Sequence, residues 1–260
     1  MGITVPCQLD GETADIWDKD KLSGEARFIS AATMAKLRKA SMKEQGELKS
    51  PEEARTATGY LQARFKDILG DSYIFPESLD SLGQIETENY VAVVHIDGNN
   101  MGLRFSQCKN LVERKQMSIK VAKICQDSFG KLLETIIQEL PAQLQNSSFG
   151  IRINEDNSKV YLPIRPLILG GDDVTFVCMG RMALEYTQRF IEFMETNKEL
   201  PIDCCGGIAL IKTSYPFFRG YEMAEQLCGE AKKMSRKEKQ QLVKENTANI
   251  QCSSWLDFAI

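Results

Sequence analysis

Asp97 and the pair Asp172-Asp173 carry the most chemistry in this 260-residue sequence. Each stands where an apolar run meets glycine, in Ile96-Asp97-Gly98-Asn99-Asn100-Met101-Gly102 and in Gly170-Gly171-Asp172-Asp173. Carboxylates brought together repel one another, and a divalent cation is what normally neutralises such a cluster. Magnesium suits a site with few carboxylates, because it keeps water and takes its remaining ligands from phosphates. Two such ions activate an attacking hydroxyl and stabilise a leaving diphosphate. Gly170 and Gly171 permit backbone angles closed to other residues and leave room for a nucleotide. Gly98 and Gly102 bracket a loop containing Asn99 and Asn100, whose backbone amides are placed to receive phosphate oxygens.

These residues need elements to position them. Tyr90 to Ile96 is a continuous β-branched run, the pattern of a strand buried on both faces, and it ends at Asp97. A helix follows, with Met117, Val121, Ile124, Leu132 and Ile136 on its apolar stripe. Leu162 to Leu169 and Val174 to Cys178 flank Gly170–Asp173 as a hairpin. Arg181 to Asn197 predicts an amphipathic helix, Gly206 to Ile211 a fourth strand, and Pro216 opens a helix to about Lys233. The order β-α-β-β-α-β is the ferredoxin-like arrangement, an α+β fold with an antiparallel sheet and helices on one face. It sets Asp97 beside the Asp172-Asp173 hairpin at one sheet end. Residues 1–88 read as a mostly helical accessory region and 89–235 as the domain that carries this fold and its carboxylates. Residues 236–260 read as a charged, helix-prone tail. Phe75 to Gly83, rich in Pro, Ser, Asp and Gly, reads as a linker, and Pro141 to Ser158 as a surface excursion.

Composition sets the outer limits. With 43% apolar and 26% charged residues the chain reads as an ordinary globular protein. A net charge of -4 argues against a surface that coats nucleic acid, while leaving direct nucleic-acid binding and a local phosphate pocket open. No run approaches the 18 apolar residues of a membrane span, and Met1 to Asp10 lacks the pattern of a secretory signal. The eight cysteines form no C-x-x-C pair, which favours a reduced, cytoplasmic protein. His95, the sole histidine, sits inside the apolar strand and reads as a hydrogen-bonded core residue. Lys233, Arg236, Lys237 and Lys239 read as solvated helix surface.

Four separated motifs occur in order: Asp97 to Gly102, Gly170-Gly171-Asp172-Asp173-Val174-Thr175-Phe176, Gly206-Gly207-Ile208-Ala209 with Tyr215 to Arg219, and Ala231-Lys232-Lys233. Together they resemble the second palm domain of the large subunit of type III CRISPR effector complexes, a relative of the GGDEF diguanylate cyclases. The resemblance covers roughly residues 88–235, and Cys7 to Ala14 resembles the family's upstream cysteine-containing element more loosely. It implies that Asp97 and Asp173 hold magnesium or manganese, with Asp172 adding charge or a second site. The backbone carbonyl of Ile96 or Gly98 would complete the shell. By the same resemblance Lys232 meets the triphosphate, Asn100 positions substrate, and ATP is the favoured nucleotide. A histidine–aspartate nuclease site cannot be built with one histidine, so the chain is expected to be a standalone minimal polymerase or part of a larger subunit.

The activity implied is synthesis of a cyclic oligonucleotide messenger in antiviral defence. Closing a ring from two nucleotides needs two facing sites, which points to a homodimer or to other subunits of a CRISPR-type complex. Two alternatives remain at this point: a catalytically silent nucleotide sensor or assembly module, and a polymerase giving linear products.

Overall fold

A computed structural model of the chain describes residues 13–14, 16–19, 26–31, 34, 57–82, 89–145, 150–153, 158–244 and 253–260. In chain order the elements are β1 (Ile16–Lys19), β2 (Ala26–Ile29), α1 (Ala57–Arg64), α2 (Lys66–Leu69), β3 (Tyr73–Ile74) and β4 (Tyr90–Gly98). Then come α3 (Met101–Ser106), α4 (Leu111–Gln145), β5 (Val160–Tyr161), β6 (Ile164–Gly170), β7 (Asp173–Met179) and α5 (Ala183–Glu195). The last are β8 (Cys204–Lys212), α6 (Phe217–Lys244) and β9 (Trp255–Ala259).

The main sheet has the order β6-β7-β4-β8-β9. Its first four strands are antiparallel neighbours, as the ferredoxin-like reading requires. The fifth corrects that reading: β9 lies parallel to β8, so the sheet is mixed. The sequence around Trp255 to Ala259 is too short and too polar at Asp257 to stand out as a strand, and only β8 supplies its pairing partner. The helix expected to end near Lys233 runs on to Lys244, since no Gly or Pro interrupts it after Gly229.

β4 is buried on both faces because helices cover both. Ala92, Val94 and Ile96 join Phe129, Leu132, Phe176 and Phe190 in the larger core under α4 and α5. Val91 and Val93 join Val177, Ala209, Ile211 and Ala224 under α6. Helices therefore lie on two faces, with α6 on the face that carries Asp97, where Leu79 and Leu82 also pack.

The N-terminal region holds strands beside its helices α1 and α2. Among its described residues, β1 and β2 pair as an antiparallel hairpin, and β3 pairs in parallel with β5. Phe28 and Ile29, apolar residues read at helical spacing, belong instead to β2, where pairing decides the state. Cys7 to Glu12 lie outside the described residues. The segment expected as a linker is instead part of the fold: Phe75 is fully buried, Leu82 is buried, and Arg165 donates to the Pro76 carbonyl at 2.6 Å.

One contact sets the height of α6 above the sheet. A Cβ on Gly207 would stand 2.0 Å from the Ala224 carbonyl oxygen and 2.4 Å from the Cys228 nitrogen. Helix backbone rests directly on strand backbone there, which only glycine allows. Cys228 lies one turn before Lys232 on the same helix. Gly207→Ala is expected to lift α6 and destabilise the protein by about 3 kcal/mol, the upper range for overpacking. Urea denaturation measures this, and an unchanged midpoint would contradict the packing described.

Candidate active site

β4 and the β6–β7 hairpin end side by side. Asp97 pairs in register with Asp173 on one side and Cys205 on the other. Gly170 pairs with Asp173, leaving Gly171 and Asp172 as a two-residue connection. Gly171 has φ of +90°, a conformation that a side chain would strain. The hairpin tip is tied to the strand end, because the Gly98 amide donates to the Asp172 carbonyl at 3.0 Å. The Asn99 amide donates to the Asp203 carbonyl at 2.7 Å. Those two amides are thus engaged within the protein and hold the loop in place.

A cleft of about 390 Å³ opens at this point, within the usual size for a small-ligand site. One wall is Asp97, the loop from Gly98 to Leu103, and Asp172. The opposite wall is a single face of α6: Lys232, Ser235, Arg236 and Lys239. Of the residues singled out in the sequence, the cleft gathers Asp97, Gly98, Asn99, Asn100, Gly102, Asp172 and Lys232. Gly170, Gly171, Asp173 and Ile96 lie outside its lining, although Asp173 is the register partner of Asp97. The Ile96 side chain points to the core under α4 and α5.

Lys232 forms a salt bridge with Asp97 through Nζ and Oδ2. Burial pushes the Asp172 carboxyl above the ordinary carboxylate range; the charges of Asp97 and Asp173 add to the shift and Lys232 opposes it. Asp173 has one oxygen, Oδ1, that is buried without a hydrogen-bond partner, while its side chain is half exposed. Below the site, Cys205 and Cys228 are buried, and the Cys228 thiol donates to the Cys205 carbonyl. Burial raises both thiols, Cys228 to about 12, so they stay protonated and unreactive at neutral pH.

Arg236 and Lys239 are functional candidates that the sequence reading left as solvated surface. Positions 232, 235, 236 and 239 follow i, i+3, i+4, i+7, the spacing of one helix face, and that signal was available. Lys233, off that face, instead pairs with Glu230 at 2.6 Å. Among the described residues, no three His, Cys, Asp or Glu side chains are grouped as a metal site.

Residues 90–242, more than half the chain, match the Cas10/Cmr2 second palm domain. The chain belongs to that family. Among solved structures it is similar to Csm1 of a Csm1–Csm4 cassette in complex with AMPPNP, at 15% identity and a TM-score of 0.43, covering 65% of this chain and 21% of that one. It is also similar to Csm1 from T. onnurineus, at 17% identity and a TM-score of 0.41, covering 66% and 21%. The GGEEF domain of a diguanylate cyclase from Vibrio cholerae follows at 12% identity and a TM-score of 0.35, covering 66% and 85%. The chain spans about a fifth of the length of the Csm1 chains it matches. No curated protein matches it. Among the described residues, no helix is long and apolar enough to cross a membrane.

The raised Asp172 has a consequence for stability. Its folded value lies above its unfolded one, so its contribution is fully favourable below about pH 4, the unfolded value. That contribution is lost as pH rises through the folded value. Asp172→Asn should therefore stabilise the metal-free protein at pH 7.5, by no more than about 1 kcal/mol because the carboxyl is half exposed. The gain should vanish near pH 4. Thermal melts with chelator at both pH values measure it, and a loss of stability at pH 7.5 would refute the assignment.

Proposed function

We propose that the chain is a nucleotidyltransferase that joins nucleoside triphosphates, ATP foremost, into a cyclic oligonucleotide signal of CRISPR-type antiviral defence. The observation that carries this is the division of one cleft into an acidic wall and a basic wall. Asp97 and Asp172 face Lys232, Arg236 and Lys239 across it. The basic row extends about 10 Å along the helix axis, at 1.5 Å per residue, which is enough to follow a chain of phosphates. Motif resemblance to the family favours ATP over other triphosphates.

The donor set fits a hard divalent cation. Asp97, Asp172 and Asp173 offer carboxylate oxygens, Asp97 and Asp173 are register partners, the Asp173 side chain is half exposed, and the Ile96 or Gly98 carbonyl is adjacent in the chain. Magnesium or manganese, when bound, supplies positive charge to the α-phosphate and favours ionisation of the attacking hydroxyl. The chain's own residues do the rest. Asp97 and Asp173 hold the cation, with Asp172 adding charge. Lys232, Arg236 and Lys239 bind and orient the phosphates, and the Asn99–Gly102 loop walls the nucleotide. The 3′-hydroxyl oxygen of one nucleotide bonds to the α-phosphorus of the next. The bond to the bridging oxygen breaks, diphosphate leaves along the basic row, and the hydroxyl proton is released. Such transfers depend on position and charge more than on covalent help. Ring closure calls for a facing site, supplied by a second copy or a complex subunit.

One observation favours a second reading, a module that holds nucleotide without turnover: Lys232 already occupies Asp97. Calorimetry separates the two, since a silent module binds ATP and leaves it intact for hours.

The direct test incubates purified protein with labelled ATP and magnesium or manganese, and identifies products by mass spectrometry. Diphosphate and a cyclic product are expected. Failure to release diphosphate, even with partner subunits supplied, would end the proposal. Asp173→Ala should lower turnover roughly a hundredfold or more with an unchanged circular dichroism spectrum. Arg236→Ala should raise KM about tenfold, near 1.4 kcal/mol of phosphate binding, with kcat little changed.

A further inference from the structure

His95 lies on β4 two residues before Asp97, on the same sheet face, and it is buried. It pairs in register with Thr175, as Asp97 does with Asp173, so the four side chains form two adjacent rungs. The ring is held on two sides. Its Nδ1 lies 3.2 Å from the Thr175 hydroxyl oxygen, and the Tyr221 ring of α6 packs edge-on against it, with centroids 5.8 Å apart. The same Nδ1 lies 3.6 Å from Oδ1 of Asp173. That oxygen is the buried one that lacks a hydrogen bond, whereas the Asp173 side chain as a whole is half exposed.

Asp173 thus has an inner oxygen facing His95, and the rest of its carboxylate turned toward solvent. A buried carboxylate oxygen without a donor is costly, and Nδ1 is the donor within reach. The 3.6 Å gap slightly exceeds a hydrogen bond, and the torsion that would close it, χ2 of Asp173, is a soft one. Groups that hydrogen-bond to a metal ligand fix its orientation, and removing them weakens the site.

We propose that His95 is a positioning residue: with its proton on Nδ1, it holds the inner oxygen of Asp173 and turns the outer oxygen toward a divalent cation. The inference rests on the reading of Asp173 as a cation ligand. Thr175 is the second acceptor for the same N–H, and it keeps the ring in plane. The role requires a proton on Nδ1. The alternative, Nε2–H with Nδ1 accepting from the Thr175 hydroxyl, would leave nothing to hold Asp173.

The chain's single histidine makes the test direct, since ¹⁵N-histidine labelling reports His95 alone. The wild-type NMR spectrum should show the Nδ1–H tautomer, and Asp173→Asn should shift that resonance. An Nε2–H tautomer in the wild type overturns the proposal without recourse to any variant. Manganese binding, followed by electron paramagnetic resonance without nucleotide, supplies a second readout independent of turnover. His95→Leu should weaken it ten- to a hundredfold, the usual effect of losing a group behind a metal ligand. His95→Asn, whose amide nitrogen takes the place of Nδ1, should restore most of the affinity, and His95→Gln should not. If Asp173→Asn leaves manganese binding unchanged, Asp173 is no ligand, and both this inference and the metal assignment beneath it fall. If Asp173→Asn abolishes binding while His95→Leu binds as the wild type does, only the positioning role falls.

Discussion

The site depends on how closely α6 approaches β8. At Gly207 the helix backbone rests on the strand with no side chain between them. Helix axes usually stand off a sheet by the thickness of interleaved side chains, and here that layer is missing at one point. From this fulcrum the helix runs toward the end of β4 that carries Asp97. Lys232, one turn past Cys228, meets Asp97 as a result. A bulkier residue at 207 would raise the whole row of Lys232, Arg236 and Lys239 away from the acidic wall.

The two walls are electrostatic opposites, and each makes the other tolerable. Asp97, Asp172 and Asp173 converge at one sheet end, and burial raises Asp172 against the ionised form. Lys232 relieves part of that tension through Asp97. Asp97 is thus shared between the two walls: it ends the acidic strand and pairs with the first cation of the basic row. The acidic wall and the first residue of the basic row therefore act as one unit.

The outer half of the basic row has its own support. Ser235 donates to the Ser253 carbonyl at 3.1 Å, and the Trp255 indole donates to Glu238 at 3.0 Å. Ser254 accepts from the Cys204 amide at 2.9 Å and donates to Glu195. β9 thereby links the far part of α6 to α5 and to the edge of β8. A strand remote in sequence from every motif holds Arg236 and Lys239 beside the cleft.

Much of this was legible in the residues. The buried run of β4, the Gly-Gly-Asp-Asp hairpin and the amphipathic helices follow from local pattern, because period and turn chemistry act over a few residues. Motif order was enough to place Asp97 beside Asp172 and Asp173, and the family match over residues 90–242 agrees with that order. What local pattern lacked was any information on pairing between distant segments. It left the β1–β2 hairpin unseen and read Phe75 as linker and the stretch around Trp255 as tail, since each acquires its state only from a partner. It also read Arg236 and Lys239 as solvent-facing, for a helix face has no meaning until something stands opposite. The sequence by itself determined which groups could do the chemistry and at which sheet end they meet. Tertiary structure alone decided that α6 closes on them at Gly207, that Lys232 takes Asp97, and that one oxygen of Asp173 faces His95, because these depend on distances between segments far apart in the chain.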